Sequence, residues 1–144
     1  MKQLLYGMLI LLIAGCSKFK DEENGLSNIL ASYDKEISEE PRIYILRAEF
    51  FCGGCMQKLS LLIDSARAET KLTDITFIAK SRHLISEQTL KNSNFQMDSL
   101  NLVSKMMPNC ANISLIRTCD SRVTDVVHLN DTRNIYLPKF VEAY

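Results

Sequence analysis

Residues 42 to 67 constrain the chain more than any other stretch: they read as a strand, a sharp turn and a helix. Ile43 and Ile45, then Phe50 and Phe51, supply β-prone bulk, with Tyr44 and Leu46 on the opposite face. Gly53 and Gly54 relax the backbone between two cysteines. Cys55, Met56, Leu59, Ile63 and Ala66 then recur at spacings of three and four, the pattern of a helix with one buried side. Cys52-Gly53-Gly54-Cys55 therefore falls where a strand hands over to a helix N-terminus. The first N–H groups of a helix lack intrahelical partners, and with the helix dipole they favour a thiolate over a thiol. Cys52, at or just before the first turn, is the expected low-pKa nucleophile. Cys55, one turn in, is the expected resolving thiol.

The start of the chain has a different character. Met1-Lys2-Gln3 is a short basic opening, and Leu4 to Ile13 is almost unbroken hydrocarbon ending in Ala14-Gly15-Cys16. This is the pattern of a secretory signal, shorter than the ~20 apolar residues of a spanning helix. Small residues directly before a cysteine resemble the lipobox of bacterial lipoproteins. That resemblance implies a signal peptide over 1–15, cleavage before Cys16, thioether lipidation of Cys16 and acylation (palmitate) of its amine. It places the protein in the bacterial cell envelope, lipid-anchored, on the periplasmic or surface face of the outer membrane. The alternative is a plain signal or a short anchor with an incidental cysteine.

Residues 16–144 suffice for one domain with a real core. Loss of Lys2 takes the balanced 17 basic and 17 acidic residues to about −1. No basic block remains, which makes nucleic acid a poor partner. With Cys16 lipidated, Cys52, Cys55, Cys110 and Cys119 lie in an oxidising or redox-managed compartment, and four thiols allow three pairings.

Residues 16–25 read as the lipidated cysteine and a polar tether, and 26–144 as the domain. Lys20-Asp21-Glu22-Glu23 loosely resembles a surface-export signal; a solvated linker is the ordinary alternative. Leu26, Ile29, Leu30, Tyr33 and Ile37 repeat as a helix of about three turns. The active helix runs to about Glu69. Residues 75–79 look like a strand covered on both faces. Ser86 opens a short helix with Glu87 and Gln88 in its first turn, and residues 95–97 read as a brief edge strand. Asp98 or Ser99 caps a helix through Met107, buried through Leu100, Val103, Met106 and Met107, and Pro108 ends it. Residues 113–119 and 123–129 form an antiparallel hairpin about a turn at 120–122. Pro138 starts a small final helix.

This order predicts an α/β fold, a mixed sheet with helices on both faces. With Phe51-Cys52-Gly53-Gly54-Cys55 at its head, the chain resembles the thioredoxin superfamily over about residues 40–144. It is especially similar to the envelope-tethered thioredoxin-like lipoproteins of bacteria. The resemblance implies that Phe51 is the aromatic before the motif, Cys52 the nucleophile and Cys55 the resolving thiol. It implies a thiol-disulfide oxidoreductase that exchanges with envelope protein thiols or disulfides and is recharged by a redox partner, with no bound cofactor. Two departures stand out. Gly54 replaces the common proline, and Cys110-Ala111-Asn112 replaces the threonine-proline pair before the hairpin, leaving Pro108 as the nearest proline.

Several readings stay open. Cys52 and Cys55 serve as a redox pair, a structural disulfide, two inert thiols at a helix start, or half of a soft metal site with His83 and His128 as nitrogen ligands; no metal is the favoured expectation. The histidines read as ordinary, one in a loop and one on a strand surface. Cys110 and Cys119 are auxiliary or buried thiols, a structural disulfide, or a relay in which Cys110 is the favoured member. Glu49 and Lys58 flank the motif. The alternative to an enzyme is a non-catalytic binding or accessory lipoprotein holding a structural disulfide.

Overall fold

The computed structural model describes residues 18–48, 53–69, 74–109 and 112–129. The elements in chain order are α1 (Lys20–Ala31), β1 (Arg42–Arg47), α2 (Gly53–Glu69), β2 (Asp74–Ala79), α3 (Glu87–Lys91), β3 (Asn94–Met97), α4 (Leu102–Met106), β4 (Ile113–Cys119) and β5 (Arg122–Leu129). The strands form one sheet in the order β3-β2-β1-β4-β5. β1 pairs in parallel with β2, as β2 does with β3, whereas β4 runs antiparallel to both β1 and β5. This is the mixed α/β sheet that the element order implies.

Both faces of the sheet are covered, and strand alternation divides the core between them. Ile43, Ile45, Ile75, Phe77, Ile113 and Leu115 face α2, which contributes Met56, Leu59, Ile63 and Ala66. Tyr44, Leu46, Ile78 and Ile116 face α1 and α4, which contribute Leu26, Ile29, Leu30, Leu102, Val103 and Met107. Each such side chain stabilises the fold by roughly 1.5–3 kcal/mol relative to exposure, so the central strand β1, buried on both faces, anchors the domain.

The N-terminal boundary differs from the sequence reading. Residues 20–25, assigned to a tether, are the first turns of α1. Their acids favour a helix start through the dipole, and they also meet β5. Glu23 Oε2 accepts from the Val123 amide at 2.9 Å and lies 3.9 Å from Arg122 Nε. Gly25 is buried where a Cβ would come within 2.7 Å of Met107 Cγ and 3.1 Å of the Met106 carbonyl, so a side chain there would have to push Met107 aside for α1 to approach α4 this closely. α1 also stops earlier than the spacing predicts. Asp34 takes the left-handed conformation (φ 55°), and the Lys35 amide returns to the Leu30 carbonyl at 3.0 Å. Tyr33 and Ile37 pack on the same cluster from outside the helix.

Ser86 caps α3 as expected, its hydroxyl accepting from the Thr89 amide. α4 begins at Leu102, and Asp98 supplies the side-chain acceptors for its first amides: Oδ1 takes Leu102 N–H at 2.7 Å and Oδ2 takes Val103 N–H at 3.0 Å. Leu100 and Met106, expected inside, are 55% and 38% exposed, because so short a helix turns only Leu102 and Val103 inward, with Met107 just after it. The hairpin turn places Asp120 and Ser121 at positive φ, held by their amides on the Glu39 and Ser38 carbonyls. The expected signal peptide, Cys16 and the helix expected at Pro138 lie outside the described residues.

Candidate thiol site

β1 ends at the centre of the sheet's carboxyl edge, where open α/β sheets place their ligands. α2 begins at Gly53, so Cys52 occupies the chain position directly before the first helical residue, and Cys55 lies within the first turn. Cys52 itself, with Glu49, Phe50 and Phe51, lies outside the described residues. Cys55 is half-buried and packs against the α2-side core. The two glycines are helical. Gly54 has no positive φ, and nothing lies within 4 Å of where its Cβ would sit, so its lack of a side chain answers neither a strained turn nor crowding. The expectation that glycines relax a turn between the cysteines is thereby corrected.

The helix carrying Cys55 is fixed from below by a buried polar network. Ser60 Oγ donates to Thr89 Oγ1 at 3.0 Å and accepts from the Ser86 amide at 2.8 Å. Thr89 Oγ1 and Ser86 Oγ both donate to the Asp64 carboxylate. These bonds tie α3 and the turn before it to α2, holding that turn beside the carboxyl end of β1.

Arg47 is a residue that sequence reasoning missed. It continues the Ile43–Ile45 face of β1, so an arginine stands where alternation calls for an apolar side chain facing α2; that break in pattern is the signal that marks it. Its Nη1 donates to the His83 carbonyl at 3.4 Å, and burial lowers its pKa from the ordinary arginine value while leaving it a cation. A guanidinium favours a thiolate in any cysteine that comes close to it. Arg47→Leu is expected to raise the Cys52 thiol pKa by about one unit, and Arg47→Lys to restore most of it. The pH dependence of iodoacetamide alkylation measures this; an unchanged profile in Arg47→Leu would remove Arg47 from the site. Lys58 is exposed on α2.

Of the other predicted thiols, Cys119 does not join the motif. Cys119, half-buried and free, ends β4 beside Arg42 at the opposite end of the sheet. The six residues of β1 put about 17 Å between the two ends, which separates Cys119 from the strand end that feeds the motif. β4 also spans about 20 Å from Ile113 to Cys119, more than the three residues from Cys110 to Ile113 can retrace (about 11 Å at most) and still bring the Cα atoms within the ~7 Å a disulfide needs. An extended β4 therefore works against a Cys110–Cys119 disulfide, and Cys110 itself lies outside the described residues. It comes shortly before Asn112, whose carbonyl accepts from the Ala48 amide at 3.1 Å.

Pro108 is the nearest proline that the sequence offers to the pre-hairpin position. It lies on the α1 side of the sheet, lining a cavity of about 190 Å³ with Asp21, Glu22, Met107 and His128. Among the described residues all peptide bonds are trans. His128 is more engaged than a plain surface histidine: its Nδ1 lies 2.6 Å from Ser114 Oγ and its Nε2 3.7 Å from Glu22. His83 is exposed in its turn. Among the described residues no group of three or more His, Cys, Asp or Glu side chains is placed to hold a metal, and no helix is long and apolar enough to cross a membrane. No protein-family model, curated protein or solved structure matches the chain.

Proposed function

We propose that this chain is an envelope-tethered, thioredoxin-like thiol-disulfide oxidoreductase. The observation that carries the reading is the start of α2 at Gly53, which gives Cys52 the position before the first helical residue and Cys55 a half-buried place one turn on. In the proposed reaction the Cys52 thiolate attacks one sulfur of a partner disulfide. The partner's S–S bond breaks, a Cys52–partner disulfide forms, and the second partner sulfur leaves as a thiolate. Cys55, deprotonated, then attacks Cys52. The partner leaves fully reduced, having gained two electrons and two protons, and Cys52–Cys55 is left oxidised. An envelope redox partner recharges the pair, and reversal of the same steps makes the protein an oxidant. Lipid on Cys16 holds the domain at the membrane, on the outer-membrane side of the envelope. No cofactor enters the steps.

The test is a trap. Cys55→Ser leaves the mixed disulfide unresolved, so the variant should accumulate covalent partner adducts, released by dithiothreitol and absent in Cys52→Ser. Absence of adducts from Cys55→Ser would reject the exchange reading. A second reading, a thioredoxin-like accessory lipoprotein with a stable Cys52–Cys55 disulfide, is favoured by the position of Pro108, which lines a cavity on the α1 side of the sheet, whereas the motif leads into α2 on the other.

A further inference from the structure

The far end of the sheet carries a second polar concavity. Where β1, β2 and β3 begin, the face that α1 covers elsewhere is open beyond the end of that helix, leaving a cavity of about 510 Å³. That volume lies within the 300–1,000 Å³ typical of small-molecule sites. Arg42, Tyr44, Thr76 and Asn94 line it from the strands, and Lys35 and Glu36 from the chain after α1. Register puts Tyr44 and Asn94 on either side of Thr76.

Thr76 is the anomaly. It is the polar residue within the buried part of β2 and is 6% exposed, yet its Oγ1 has no hydrogen-bond partner among the described residues. A buried hydroxyl left so costs about 1–3 kcal/mol, which valine, of the same shape, would avoid. Arg42 Nε is likewise buried and unpartnered, the guanidinium meeting Asp74 through Nη2 only at 3.9 Å. The Tyr44 hydroxyl accepts from the Ser38 amide at 3.4 Å and keeps its own proton to donate. Lys35 Nζ is held over the same space by Gln96 Oε1 at 2.7 Å. Among the described lining residues Glu36 is the one acid, and Leu30 supplies an apolar wall.

We infer that this cavity binds a small organic carboxylate. Its carboxylate meets Arg42 Nε–H, the Thr76 hydroxyl and Lys35, a set of donors that converges on an acceptor-only group. Its apolar body lies against Leu30 and the Tyr44 ring. The site is about 17 Å from the thiol end of β1 and independent of the thiol chemistry.

The test is calorimetric titration of the purified full chain with hexanoate, phenylacetate and inorganic phosphate. At least one carboxylate should saturate, and Thr76→Val and Lys35→Gln should each weaken it about tenfold. Lys35 is exposed, so its replacement leaves the fold intact and keeps the test valid even if Thr76→Val alters packing. Failure of both carboxylates to saturate by about 10 mM, binding unchanged in both variants, or phosphate binding as tightly as either carboxylate would each overturn the assignment.

Discussion

Cys52→Ser should abolish disulfide exchange, reducing a disulfide-reduction assay to its uncatalysed background, while leaving the fold intact. The reasoning is local. Serine cannot supply a thiolate, and the hydroxyl of a serine before the first helical residue is a poor nucleophile at neutral pH. The same serine is among the best N-cap residues, worth about 1 kcal/mol over a residue that cannot cap. The reduced variant should therefore melt no lower than the reduced wild type, because α2 starts at the next residue. A structural disulfide predicts the opposite pattern: closing so short a loop is worth about 2 kcal/mol. Cys52→Ser would then lower the melting temperature of the oxidised protein with no activity to lose. Activity and melting temperature, measured together, separate the two.

The largest effect on stability is expected at Asp98. Its carboxylate, 1% exposed, accepts from Leu102 N–H, Val103 N–H and the Tyr33 hydroxyl, joining α4, the turn after β3 and the segment after α1. Asp98→Ala leaves two buried amides without acceptors and should cost about 3–5 kcal/mol. That is a large share of the 5–15 kcal/mol typical of a domain, and should lower the melting temperature by roughly 10–20 °C. Tyr33→Phe removes one of the three bonds and should cost only about 1 kcal/mol; equal losses in the two variants would show that the helix amides do not depend on Asp98. Burial, then the bond to Asp98 and its charge, raises the Tyr33 pKa above 10.0. A group with a raised folded pKa contributes stability that is complete below its unfolded value and is lost as pH rises through the folded one. The Tyr33 contribution therefore holds below pH 10 and fades above it, and Tyr33→Phe should flatten that alkaline decline.

Much of this architecture was legible because burial imposes simple periods. Ile43 and Ile45 alternate with Tyr44 and Leu46, and the two pairs do face different helices. The three-four spacing through Met56, Leu59 and Ile63 marks the buried side of α2, and the apolar run at 75–79 marks a strand covered on both faces. What stayed hidden depends on contacts distant in sequence. The acids of Lys20-Asp21-Glu22-Glu23 suit a helix start but equally a solvated linker; what decides for the helix is the Val123 amide and the close approach between Gly25 and Met107. The end of α1 was overrun because Tyr33 and Ile37 keep helical spacing while a left-handed Asp34 carries them to the same core by another path. At the thiol end, the paired cysteines were visible as a motif, whereas Arg47 was visible only as a broken alternation. The separation of Cys119 from the motif required the register of β4 on β1.

The central claim is that Cys52 and Cys55 form a working redox pair, and its most direct test is the reduction potential of that pair. The chain, with Cys110 and Cys119 replaced by serine, would be equilibrated in thiol buffers and the oxidised fraction measured. A potential between about −120 and −270 mV, the range spanned by working oxidoreductases, is the expected result. A value below about −300 mV is that of a structural disulfide and would contradict the account.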